Sequence, residues 1–125
     1  MTDKIVVLNT CGSAEEAERL ARSLVDRRLA ACVTIISPVR SFYRWKGAVA
    51  DAAEWLLVIK TSRPLFAQLR TVLDSTHSYE LPEILALPVT EGSTNYLSWM
   101  DGELQSADSE PHRRKSVVRR TAKVE

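Results

Sequence analysis

From Cys32 to Trp45 the chain reads CVTIISPVRSFYRW, and after Lys46 and Gly47 it returns through Val49 to the continuous apolar run WLLVIK. β-Branched and aromatic residues fill both limbs, and the glycine marks the reversal, so the stretch predicts one long hairpin. No other segment constrains the fold as strongly. A two-stranded ribbon is marginal alone, and this one outruns the roughly five or six residues usual for a strand. Pro38 cannot donate to a ladder, so it marks an edge position or a bulge in the first limb.

The flanking segments supply what the ribbon lacks. Lys4 to Thr10 is a compact Ile/Val/Leu run ending near Gly12, the pattern of a strand buried on both faces. Ser13 with Glu16 three residues on forms a capping box for a helix carrying Ala17, Leu20, Ala21, Leu24 and Val25 at helical spacing, closed by Arg27 and Arg28. Ser62 and Pro64 open a second helix with Leu65, Phe66, Leu69, Val72 and Leu73 on one face, ending around His77, and Pro82 enforces the exit. Glu83 to Val89 reads as a further strand. A third helix starts at Ser93 or Thr94, with Tyr96, Leu97, Met100 and Leu104 on its inner side.

The order β-α-β-β-α-β followed by α predicts an α+β, ferredoxin-like sandwich: a four-stranded antiparallel sheet, two helices on one face, a long β2-β3 hairpin and a C-terminal helix. The chain of 125 residues, 45% hydrophobic and 26% charged, has the size of one domain, expected over residues 1–105. Residues 106–125 form a basic tail, with six Lys/Arg against three Asp/Glu, whereas residues 1–105 carry eleven against thirteen. The tail reads as a solvated extension. No stretch has the length of a membrane span, no signal-peptide pattern opens the chain, and two cysteines suit a reducing compartment, so a cytoplasmic location is expected.

Right-handed crossovers bring three segments to one end of the sheet: the loop at Thr10 to Gly12, the hairpin tip at Trp45 to Gly47, and HSYE at His77 to Glu80. Cys32 begins at the opposite end, too far from Cys11 for a disulfide. Cys11 and His77 share an edge. A soft thiolate with an imidazole suits copper or zinc if Glu80, Asn9 or another subunit adds a ligand. His77 equally suits a cap on the carbonyls closing helix two, and Cys11 a small packed hydrophobe. Tyr79, Glu80, Trp45 and Lys46 are the candidates for lining a ligand cleft. Catalysis by His77 with Glu80 lacks a nucleophile at a recognisable elbow and any phosphate-binding glycine motif.

The stretches LAACVTIISPVRSFYRWKG, EWLLVIKT, HSYELPEILALPVTEG and NYLSWM together resemble the CutA family of divalent-ion-tolerance proteins over most of residues 5–101. The resemblance implies a ferredoxin-like domain assembled into a homotrimer through its hairpin arms, similar to PII signalling proteins, and a link to tolerance of copper and other divalent ions. In some bacterial members copper is attributed to a Cys at the end of strand one and a His-His pair at the end of helix two. Asn9 stands at that Cys position and Thr76 at the first His, leaving His77, with Cys11 as a substitute two residues along.

The expected function is therefore that of a non-enzymatic trimer responding to divalent cations, copper included, with His77 and Cys11 as metal ligands. The alternative is a PII-like sensor that takes a small metabolite between subunits. RNA-recognition domains share the topology, but ADAAEWLLVIK lacks the glycine-aromatic pattern such domains stack bases on, so nucleic acid is not an expected partner, nor is a membrane.

Overall fold

The computed structural model describes residues 1–106, so all but the first residue of the basic tail lies outside the described residues. The elements run β1 (Lys4–Cys11), α1 (Ala14–Asp26), β2 (Cys32–Trp45), β3 (Ala48–Ser62), a 3-10 turn (Arg63–Leu65), α2 (Phe66–Thr76), β4 (Leu85–Pro88) and α3 (Thr94–Glu103). The four strands form one sheet in the order β2-β3-β1-β4, every neighbouring pair antiparallel. This is the expected ferredoxin-like arrangement, with β4 beside β1.

The hairpin turns at Lys46 and Gly47, which have φ of 53° and 85°. Both central residues thus take positive φ, the requirement of the two-residue turn whose twist matches the strands. Gly47 meets that at no steric cost. Pro38 sits where expected: the β2-β3 register shifts between Ile36 and Val39, on the outer strand, and the Ser37–Pro38 peptide is cis.

One face of the sheet carries the core. Ile5, Val7 and Cys11 of β1 and Leu57 and Ile59 of β3 pack with Ala17, Leu20 and Leu24 of α1 and with Leu65, Leu69 and Leu73 around α2. Ser13 Oγ accepts the Glu16 amide at 3.1 Å, as a capping residue should. The reciprocal half of the box is missing, because the Glu16 carboxylate turns away to Ser78. Helix two differs from expectation at its start: Ser62 and Pro64 open a 3-10 turn, and the α-helix begins at Phe66. Strand four is also shorter than the Glu83 to Val89 expected, because the chain before Leu85 bonds to a side chain, Asn9, in place of the β1 backbone.

The other face is apolar and largely unmatched. Register sets Leu8 opposite Val58 and Leu85, Val6 opposite Lys60 and Leu87, and Ile36 opposite Leu56. Ile36, Leu85 and Leu87 are 46%, 57% and 48% exposed. Val6 and Leu8 are only partly covered, so the β1 sequence, apolar on both faces, has one face that the described residues leave without a full covering. Both cysteines are free thiols, and no helix among the described residues is long and apolar enough to cross a membrane.

Candidate functional site

The loop from His77 to Glu83 runs past the end of β1, where β4 pairing has stopped, and three side chains fix it there. The His77 ring is fully buried. Its Nε2 lies 2.9 Å from the Thr10 carbonyl and its Nδ1 3.0 Å from the Tyr79 amide nitrogen. A carbonyl needs a donor and an amide N–H needs an acceptor, so the network assigns the Nε2–H tautomer and both ring nitrogens are committed. Asn9 Nδ2 donates to the Glu83 carbonyl at 2.8 Å. Glu16 accepts the Ser78 amide at 2.8 Å and the Ser78 hydroxyl at 2.7 Å, joining the first turn of α1 to the loop.

Burial opposes the charge on Glu16, but the Ser78 bonds, with Arg19 adding to them, outweigh it and hold the carboxyl below its ordinary range. A depressed carboxyl stabilises the fold fully above the unfolded value near 4.5 and loses that contribution as pH falls through the folded one. Glu16→Gln is therefore expected to flatten the acid limb of stability measured by urea unfolding between pH 6 and about pH 3. At pH 7 it should cost on the order of 2 kcal/mol, because Ser78 keeps weaker partners.

Tyr79 reaches to the other face of the sheet. Its hydroxyl donates to Glu54 Oε2 at 2.7 Å, and burial together with that carboxylate pushes the phenol well above its usual range, so it stays a donor. Glu54, near the root of the hairpin on β3, is itself buried. Beside this pair opens a cleft of about 810 Å³ between the hairpin and the loop, lined among others by Thr10, Tyr43, Trp45, Glu54, Tyr79 and Glu80.

Three of the four residues expected to line a cleft, Tyr79, Glu80 and Trp45, thus do so together, whereas Lys46 stands at the turn, away from the lining. Sequence reasoning missed Glu54 in the lining and Glu16 as the residue that holds the loop through Ser78. The available signals were a lone acid leading an apolar strand and an acid whose capping position left its carboxylate free to bond elsewhere.

His77 and Cys11 do not form an open ligand pair. Cys11 is buried in the core, its thiol 3.6 Å from the Ser13 carbonyl, and burial pushes that thiol up, away from the thiolate that metals need. Thr76 Oγ donates to the Val72 carbonyl at 2.7 Å. Asn9 Oδ1 is buried without a hydrogen-bond partner, yet among the described residues no group of three or more His, Cys, Asp or Glu could hold a metal ion. The residues present do not fit copper at the end of helix two.

Fold and cleft together define an arm-bearing ferredoxin-like α+β domain with a recess at the arm's root. Comparison with known proteins narrows this: the profile of the family described as CutA1 divalent ion tolerance protein matches residues 5–103, and the chain belongs to that family. It is 45% identical over 95 residues to the divalent-cation tolerance protein CutA of Thermus thermophilus, covering 76% of this chain and 92% of that one. It is 43% identical over 96 residues to the chloroplastic protein CutA of Arabidopsis thaliana, covering 77% of this chain and 53% of the longer plant protein. Among solved structures, the Thermus thermophilus Cut A1 superposes with a TM-score of 0.80 at 42% identity, covering 82% of this chain and 99% of that one. CutA from Xylella fastidiosa gives 0.81 at 38%, covering 83% and 100%.

Proposed function

We propose that this chain serves divalent-cation tolerance as a non-catalytic, cytoplasmic homotrimer that takes its ligand in the cleft at the root of the hairpin, in the manner of a PII-like sensor. The observation that carries this reading is the continuity of the cleft with the uncovered apolar sheet face. An interface formed on that face runs up to Glu54 and Tyr79, so a neighbouring subunit closes the recess that one chain leaves open. Membership in a family described by divalent-ion tolerance supports the role. The polar groups around the recess support a binding function over a catalytic one, since His77, Glu16 and Ser78 are spent on holding the loop. Free thiols at Cys11 and Cys32 suit the reducing compartment.

Sedimentation equilibrium at micromolar concentration is expected to give three times the 14.0 kDa chain mass. A folded species of one chain mass overturns the reading.

A further inference from the structure

The walls of the cleft have a chemistry of their own. Among the described residues, Glu54, Glu80 and Glu83 line it against a single cation, Arg44, so that lining is acidic. Glu54 is 6% exposed, with one carboxylate oxygen held by Tyr79. The register opposes Ser41 to Ala52, Tyr43 to Ala50 and Trp45 to Ala48. Alternation places these alanines on the same face of β3 as Glu54. Ser41, Tyr43 and Trp45, their partners across the hairpin, line the cleft on that face, which leads to the buried carboxylate held by Tyr79.

Dispersed carboxylates do not suit a metal ion, which needs several oxygen, nitrogen or sulfur ligands converging at bonding distance, and the described residues provide no such cluster. An anion meets repulsion from three acids. An organic cation satisfies both parts of the lining, because aromatic faces attract a cationic head and carboxylates accept its hydrogen bonds or neutralise it at longer range. We infer that the cleft binds an organic ammonium ion, its head against Glu54 and Tyr79 and its carbon chain along Tyr43 and Trp45. This rests on the reading of the cleft as the ligand site and adds the class of ligand.

Isothermal titration of the full chain with choline, putrescine, the uncharged choline isostere 3,3-dimethyl-1-butanol, and manganese(II) tests it. At least one of the two ammonium compounds is expected to bind at one site per chain. Choline should exceed its isostere by about tenfold or more, with manganese(II) failing to displace the bound amine. Glu54→Gln should weaken binding by about tenfold or more, and Trp45→Ala by several-fold. Should Glu54→Gln fail to fold, the double variant Glu80→Gln/Glu83→Gln, at two exposed positions, is expected to weaken binding several-fold. Equal binding of the isostere, unaltered binding in the carboxylate variants, displacement by manganese(II), or no binding of either amine to a protein of trimer mass overturns the inference while leaving the cleft reading intact. A single-chain mass removes the cleft reading itself.

Discussion

Val58→Asp is expected to break the proposed trimer into single chains, whereas Ile59→Asp at the next position is expected to unfold the chain. The two residues are neighbours on β3 and point to opposite faces of the sheet. Ile59 is fully buried against the helices and belongs to the core. A carboxylate there has no partner, and its desolvation costs several kcal/mol, comparable with the roughly 5–15 kcal/mol that holds a small domain together. Val58 lies on the uncovered face, opposite Leu8 and Thr34, and is partly exposed in the single chain. A charge there is tolerated while the face meets water and costs about 3 kcal/mol or more once a neighbour covers it, weakening association at least about 100-fold. Sedimentation velocity and circular dichroism separate the outcomes. An unchanged trimer mass for Val58→Asp would place the contact between subunits elsewhere, and unfolding equal to that of Ile59→Asp would make this face part of the monomer's own core.

The same face explains why so much of the fold was legible. Periodicity reported the strands, Gly47 and Pro38 reported the turn and the bulge, and the capping residue Ser13 reported the start of α1, because each acts through bonds within a few residues of itself. The apolar run from Lys4 to Thr10 carried more than its own secondary structure. An antiparallel sheet with helices on one side needs alternation, so a strand apolar on both faces signals a second covering that the described residues do not supply. The partners of side chains were the illegible part. Glu16 bonds Ser78 and Tyr79 bonds Glu54 across long stretches of chain, pairings that no local pattern encodes. The shortening of β4 belongs to the same class, since it depends on an Asn9 amide taking the Glu83 carbonyl. His77 was visible as a functional residue or a cap, and only the geometry reveals that its two nitrogens are spent on backbone groups of two different segments.

That commitment makes His77→Ala the most damaging single change expected in the loop. It strands the Thr10 carbonyl and the Tyr79 amide, two groups at a buried position, at about 1–3 kcal/mol each, and leaves a space where a ring packed 5.0 Å from that of Tyr79. A loss of about 3 kcal/mol should lower Tm by roughly 10–20 °C in a domain of this size. Tyr79 would also lose the bond that aims its hydroxyl at Glu54, so ligand binding in the cleft should fall with stability. Copper(II) binding should not follow them: a ring whose Nε2 donates to a carbonyl and whose Nδ1 accepts an amide has no lone pair to offer, and its loss is expected to leave the number of copper ions bound per chain unchanged in a titration of folded protein. Loss of one copper equivalent with Tm preserved would mean that the ring leaves Thr10 and Tyr79 to take the metal, and that the loop is held by Glu16 and Asn9 alone.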